Sequence, residues 1–187
     1  MQFNRFLGNA KVTTERVIES WSEDTEMAAE GRHVLAIQDT SEINFATTPQ
    51  RRRGLGEIGH GNTRGVLLHP MLAVDAQSGS CLGLLNGEVW TRKGRRTVSH
   101  DQRDLSDKES QRWIATALAA KPLLAKAAMV TMLGDRESDI FALYASAAEE
   151  QFHVIARSMH DRKLADASGL YAASEAMTII EHRAIVL

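Results

Sequence analysis

The sequence predicts an α/β fold in which a mixed sheet is flanked by helices. Three observations lead to this class: short apolar runs with the length of buried strands, a hairpin pattern between two of them, and helical periodicity between the later runs. The predicted order is strand, two-stranded hairpin, helix, strand, helix, strand. Strands followed by helical crossovers indicate a sheet that is covered by helices.

The first thirty residues have the pattern of an exposed helix. Thr13 and Thr14 offer N-cap hydroxyls, and Val17, Ile18 and Trp21 recur at helical spacing.

The first three strands are predicted from apolar runs and turn residues. Residues 34–37 (VLAI) form a buried-strand run that ends at Asp39, and residues 46–64 have the composition of a loop. The apolar segments 66–74 and 81–90 are joined by the turn sequence DAQSG, which predicts a hairpin.

A polar, basic loop is predicted over residues 91–107, followed by a helix. Ser106 or Asp107 is expected to cap this helix, and Pro122 is expected to end or kink it.

The last predicted elements alternate between strand and helix. Residues 127–133 form a strand closed by Asp135, a helix starts at Ser138 or Asp139, and residues 152–156 form a further strand. Beyond this strand the pattern fits helix and strand equally well.

Length and composition indicate one soluble domain. The 187 residues are 43% hydrophobic and 25% charged, close to the globular average. There is no apolar run long enough for a membrane span and no signal peptide at the N-terminus. Cys81 is the single cysteine, which excludes an internal disulfide and a cysteine metal cluster. These features predict a cytoplasmic protein without a membrane partner.

The net charge of −2 argues mildly against a dedicated nucleic-acid binder. Local basic clusters at 51–53 and 92–96 offset this average. They have two interpretations: solvated loops, or loops that approach a polyphosphate substrate.

Two acids, Asp39 and Asp135, stand at predicted strand ends, where ligand sites of α/β sheets gather. Carboxylates on neighbouring strands could share Mg²⁺, which prefers oxygen ligands and keeps several waters. With a third acid they could hold the two ions of a phosphodiester-cleaving site. The alternative is structural, because aspartate after a strand is a common turn former or cap.

The sequences around both acids resemble the motifs of a known family. Residues 36–41 (AIQDTS) resemble the first-aspartate motif of the IS4 (Tn5-like) insertion-sequence transposases, and residues 134–140 (GDRESDI) resemble the second. The resemblance covers roughly Val34 to Tyr171, in matching order and spacing. Further matches are residues 83–85 with Trp90, residues 107–110 with Trp113, residues 154–158 and residues 160–163.

This resemblance implies an RNase H-like fold and the chemistry of a DDE transposase. Asp39 and Asp135 would be catalytic and would bind Mg²⁺ or Mn²⁺. In such enzymes, a metal-activated water nicks DNA at the transposon end, and the freed 3′ hydroxyl attacks a second phosphodiester. The partners implied are therefore transposon ends and target DNA. The residues expected at the DNA are Arg136, Arg157, Arg162 and Lys163.

The chain departs from the family pattern after Asp135. Family members carry a third acid on a later helix, and no Tyr-x-x-Arg-x-x-x-Glu pattern occurs in the 52 residues that remain (187 minus 135). Glu175 and Glu181 are the nearest substitutes, although both fit solvated acids better. We therefore expect a fold that lacks the final catalytic helix, in a protein truncated at both ends. The predicted parts are a remnant of the N-terminal helical region at 1–32, a partial catalytic core at 33–165 and a divergent tail at 166–187.

Three functions follow from these patterns. The first is a transposase fragment that is inactive because the third acid is absent, so enzymatic activity itself stays open. The second is a non-catalytic fragment that binds DNA, forms a homodimer or associates with an intact transposase. A phosphohydrolase with Asp39 as nucleophile fits less well, because residues 40–50 lack the glycines of a phosphate-binding loop.

Overall fold

A computed structural model of the chain describes residues 2–45, 54–59, 63–92 and 111–178. The chain divides into two compact units, residues 1–157 and residues 158–187. The first unit contains the helices α1 (Gln2–Leu7), α2 (Thr14–Ala29), α3 (Gln111–Leu123) and α4 (Phe141–Ala147), and the strands β1 (His33–Gln38), β2 (Ser41–Asn44), β3 (Gly56–Glu57), β4 (Arg64–Asp75), β5 (Cys81–Trp90), β6 (Met129–Gly134) and β7 (Phe152–Ala156). The second unit contains α5 (Leu170–Glu175).

The strands form one mixed sheet, as the sequence predicts. Its order is β2-β4-β1-β6-β7, and β3 and β5 also pair with β4. The hairpin strand β4 is antiparallel to β1, whereas β6 and β7 are parallel to β1. The antiparallel and parallel halves of the sheet therefore meet at β1.

The strands β1 and β2 lie along the same partner strand in one register. Gln38 pairs with Met71 at the end of β1, and Ser41 pairs with Leu68 at the start of β2. Two residues separate these two pairs both between β1 and β2 and along β4, so the register is unchanged across the gap.

The interruption between β1 and β2 falls at Asp39 and Thr40. The register puts Pro70 opposite Asp39 and His69 opposite Thr40. Proline has no N–H to donate to a neighbouring strand, which accounts for the missing ladder bonds at this point. The chain thus leaves the ladder for two residues and then rejoins it.

The core lies between one face of the sheet and the helices α2, α3 and α4. Its strand residues alternate along each strand, as expected for side chains on a single face. The buried apolar residues of this core cluster are Ala29, Val34, Ala36, Met71, Ala73, Leu85, Ile114, Ala117, Ala120, Leu124, Ala127, Val130, Met132, Leu143, Ala147 and Phe152.

The opposite face of the sheet carries an apolar row that crosses four strands. Leu72, Ile37, Leu133 and Ile155 are neighbours in register on β4, β1, β6 and β7. Leu72 is 40% exposed, Ile37 38% and Ile155 58%. In the described ranges, this apolar row is therefore partly open to solvent.

Most predicted elements are confirmed. Thr13 caps α2 and accepts a hydrogen bond from the Arg16 N–H at 3.3 Å. The hairpin strands, β6 and β7 lie within a few residues of their predicted positions. Pro122 lies in the last turn of α3, as expected for a residue that ends the helix.

One prediction on local structure is wrong, and two short strands were missed. The helix expected to start at Ser138 or Asp139 begins at Phe141, because Ser138 closes a 3₁₀ turn over Arg136–Ser138. The strands β2 and β3 were not predicted, since they are short and hydrophilic and form only because the long β4 offers partners.

Several predicted features lie outside the described residues. These are the cluster at 51–53, residues 93–96 of the second cluster, and the helix caps Ser106 and Asp107. Among the described residues, no helix is long and apolar enough to cross a membrane.

Candidate functional site

The two predicted acids lie on neighbouring parallel strands at the same height. The last registered pair of β1 and β6 is Ile37 with Leu133, and each aspartate follows two residues later. The backbone of Asp135 is still extended, with φ of −79° and ψ of −162°. Both aspartates therefore lie at the carboxyl ends of two adjacent parallel strands, at the same offset from the last registered pair. The fold thus brings the two carboxylates to one edge of the sheet.

Each carboxylate accepts one hydrogen bond from nearby backbone. The Thr40 N–H donates to Asp39 Oδ1 at 2.7 Å, and the Glu137 N–H donates to Asp135 Oδ1 at 2.8 Å. Both aspartates are exposed. Within the described ranges, both of these hydrogen bonds reach the Oδ1 atom of the carboxylate. The donor set therefore suits a hard divalent cation that keeps most of its waters.

A buried polar network lies directly behind Asp39. His69 is 0% exposed, and its Nδ1 lies 2.8 Å from Thr40 Oγ1 while its Nε2 lies 3.2 Å from Gln38 Oε1. The Trp113 ring packs edge-on against the imidazole, with ring centroids 4.8 Å apart. The histidine thus bridges the two residues that flank Asp39 in the chain.

The hydrogen bonds and the burial of His69 together favour a neutral ring protonated at Nε2. Because the Gln38 carbonyl oxygen can only accept, Nε2 carries the proton, and Nδ1 accepts from the Thr40 hydroxyl. Burial lowers the pKa of His69 to about 4, although the charge of Asp39 acts in the opposite direction; Arg112 also lowers this pKa. The imidazole is therefore uncharged at neutral pH.

The side chain of Arg112 is held beside this network. Its guanidinium lies 3.9 Å above the centre of the Trp90 ring, and its Nε lies 3.1 Å from Glu88 Oε2. These contacts join the start of α3 to the end of β5. The Trp90 ring therefore packs against the start of α3 through a cation–π contact.

The predicted DNA-binding residues divide between the two units. Arg157 follows β7, and its N–H donates to the Gly134 carbonyl at 3.3 Å, which places it beside Asp135 in the sheet. Arg136 is exposed in the 3₁₀ turn that follows Asp135. Arg162 and Lys163 belong to the second unit, where Lys163 pairs with Gly169.

Within the described ranges, no third metal-binding side chain joins the two aspartates. Nowhere in these ranges do three or more histidine, cysteine, aspartate or glutamate residues lie close enough together to hold a metal ion. Glu175 lies at the end of α5 in the second unit and is exposed. Glu181 lies outside the described residues.

Sequence reasoning identified both aspartates but missed the side chains that support Asp39. Neither the spacing of His69 from Asp39 nor its neighbours in the sequence suggest a contact. In the structure His69 lies on the buried face of β4, where an imidazole requires a polar partner. The sequence does not show which face His69 occupies, because apolar residues stand at both alternating positions around it. The identity of that partner follows only from the register with β1 and β2.

No family model matches the chain. Among solved structures, it is similar to a piggyBac transposase in a synaptic complex with hairpin DNA, with a TM-score of 0.42 and 11% sequence identity. The match covers 74% of this chain and 26% of that one, so the chain spans about a quarter of that protein's length. At that score the similarity assigns neither a family nor a function.

Proposed function

We propose that the chain carries the RNase H-like core of an IS4-type DDE transposase, with a two-aspartate metal site. The observation that carries this proposal is that Asp39 and Asp135 directly follow neighbouring parallel strands, each two residues after the last registered pair. The sheet supports it as well. The strands from β1 to β5 pair in antiparallel fashion, and β6 and β7, which follow α3 and α4, run parallel to β1. This arrangement agrees with an RNase H-like fold.

In this proposal, Asp39 and Asp135 hold Mg²⁺ or Mn²⁺ through carboxylate oxygens. A bound divalent ion would polarise a phosphodiester and lower the pKa of a bound water. The protein fixes the two carboxylates on adjacent strands, and the backbone N–H groups of Thr40 and Glu137 orient one oxygen of each.

Arg136 and Arg157 would contact the DNA backbone. Both are exposed and lie close in sequence or in register to Asp135. Guanidinium groups bind phosphate oxygens through two parallel hydrogen bonds, so these residues would hold a phosphodiester beside the carboxylates. Arg162 and Lys163 are proposed to add contacts from the second unit.

The same proposal predicts little or no strand transfer by this chain. Among the described residues, only two acids contribute to the site, whereas a two-metal centre needs further ligands. Stabilisation of charge in the transition state is usually the largest catalytic contribution, so loss of one charged ligand should remove most of the rate.

The experiment is a titration of the purified chain with Mn²⁺, followed by electron paramagnetic resonance and by thermal melting. We expect Mn²⁺ binding and a rise in the melting temperature, because a ligand at 100 times its Kd adds about 2.7 kcal/mol to the free energy of unfolding. Asp39→Asn and Asp135→Asn should each abolish both effects. Asp24→Asn, at an exposed position of α2, is the matched control and should change neither.

A plasmid-nicking assay completes this test. We expect no Mn²⁺-dependent nicking by the wild type. Nicking that both active-site substitutions abolish would contradict the predicted inactivity while supporting the metal chemistry. A folded wild type that binds no Mn²⁺ would refute the two-aspartate metal site.

A second candidate is a non-catalytic role in which the chain associates with an active transposase or with a second copy of itself. The partly exposed apolar row of Leu72, Ile37, Leu133 and Ile155 favours this candidate, since exposed apolar patches often mark contact surfaces. Sedimentation of the chain, with Ile155→Lys as the variant, tests it. A wild-type monomer would count against self-association, and salt-dependent DNA binding without nicking would favour the non-catalytic role.

A further inference from the structure

We propose that His69 is a positioning residue for Asp39 and acts through Gln38 and Thr40. This inference rests on the proposed metal site, because it assigns a support to one of the two metal-binding carboxylates. Neither ring nitrogen of His69 would touch the metal or the DNA. Its role would be to fix the short break in the sheet from which Asp39 projects.

The first argument is the position of the bridge. Thr40 and Gln38 are the immediate neighbours of Asp39, and both bond to the same imidazole, at 2.8 Å and 3.2 Å. The ladder offers no such restraint here, because Pro70 stands opposite Asp39 and cannot donate a hydrogen bond. The side-chain bridge thus replaces the backbone pairing that is missing.

The second argument is burial. His69 is 0% exposed and Gln38 2%, so water cannot replace either partner without opening the core. Losing one member leaves a buried polar group unsatisfied, which is costly. The contact with Trp113 on α3 fixes the imidazole plane from the other side. The network is consequently a rigid mount for the backbone at Asp39.

The third argument is that the network reaches the carboxylate itself. The Thr40 N–H donates to Asp39 Oδ1 at 2.7 Å, while the Thr40 hydroxyl is bonded to His69. One residue therefore links the buried imidazole to the exposed carboxylate. Partners of this kind, one step removed from a metal ligand, typically contribute about 10- to 100-fold to metal affinity.

The chain offers a matched control in a second histidine–threonine pair. His33 Nε2 lies 2.9 Å from Thr131 Oγ1 at the opposite end of β1, six positions from Asp39. Thr131→Val removes a similar side-chain contact from the same sheet without touching the site. A loss of general stability alone would affect the control as well.

The test measures Mn²⁺ affinity in the full chain for Thr40→Val, Thr40→Ser, His69→Leu and Thr131→Val. We expect Thr40→Val to bind Mn²⁺ about tenfold more weakly, Thr40→Ser to restore binding, and Thr131→Val to bind as the wild type does. His69→Leu should show at least the loss seen with Thr40→Val if it folds. Wild-type affinity in folded Thr40→Val would overturn the proposal.

A metal-free measurement separates this proposal from the proposed function. In amide hydrogen exchange, residue 40 should lose protection in Thr40→Val but keep it in Thr131→Val. If the wild type binds no Mn²⁺, the metal site fails, while faster exchange at residue 40 would still support the positioning role. Unchanged exchange at residue 40 would refute it whatever the metal does.

Discussion

The two aspartates are mounted in different ways, although they stand side by side. Asp135 is held by its own neighbours in the chain: the Glu137 N–H donates to its carboxylate, and the Ser138 hydroxyl donates to its carbonyl at 2.7 Å. Asp39 depends instead on His69, about thirty positions away on a different strand. One mount is a local turn and the other is a long-range buried bridge.

This difference indicates how each mount responds to change. A local turn is set by a few backbone dihedrals and persists while its own residues are intact. A buried bridge fails when any of several distant groups is removed or charged. Trp113 is common to both mounts, because its ring packs on His69 and also lies near Gly134.

Acid should break the Asp39 mount first. The folded pKa of His69 is about 4 and its ordinary value is 6.5, so between these values the unfolded chain binds the proton and the folded chain does not. The free energy of unfolding is therefore highest above pH 6.5 and decreases as the pH drops towards 4. At 1.36 kcal/mol per pKa unit, the expected loss is about 3 kcal/mol.

Urea denaturation at several pH values, on the wild type and His69→Gln, measures this effect. The variant should be less stable at pH 7 but should show a flatter pH profile between 6.5 and 4. Parallel profiles for the two proteins would mean that His69 does not titrate in this window.

Gly134→Ala should break the Asp135 mount. An added Cβ would lie 2.3 Å from Ser138 Oγ, 2.6 Å from Ser138 Cβ and 3.0 Å from the Trp113 ring, and both neighbours are buried. Overpacking of this kind costs about 2 kcal/mol. Chemical denaturation measures it, with Gly87→Ala as control, because there the nearest atom is 3.5 Å away. Equal stability of the two variants would show that the turn has room to adapt.

Ser138→Ala should have the smallest effect and would sharpen the comparison. It removes the hydroxyl that donates to the Asp135 carbonyl but leaves the Glu137 N–H in place, so we expect a loss of about 1 kcal/mol. The control is Ser146→Ala, which removes an exposed bond to the Ala142 carbonyl. Mn²⁺ affinity should be unchanged in both. A tenfold drop for Ser138→Ala alone would mean that the local turn is as sensitive as the buried bridge.

The fold was largely predictable because its signals are local. The apolar segment of β4, the turn after Asp75 and the apolar run of β6 each specify an element within a few residues. The short strands β2 and β3 could not be predicted in this way, since they depend on pairing with β4. The start of α4 was misplaced for a related reason: Ser138 bonds to Asp135 and closes a 3₁₀ turn before the helix begins.

The same distinction applies to the site. Asp135 lies next to the glycine, glutamate and serine residues that form its turn. Its position after a strand could be recognised from the sequence. The support of Asp39 combines a glutamine, a threonine and a histidine from β1, the following break and β4. Nothing in their spacing indicates contact until the antiparallel register is known.

The register of the sheet also has a consequence for the order in which the protein is made. Every hydrogen-bonding member of the Asp39 bridge lies between Gln38 and His69, whereas β1 and β6 join residues 96 positions apart (129 minus 33). Chains emerge from the ribosome N-terminus first, and contacts between residues near in sequence close sooner than distant ones. The hairpin that carries His69 can therefore meet β1 while the codons for Asp135 are still untranslated, so the mount of the first aspartate can begin to form before the second aspartate has been synthesised.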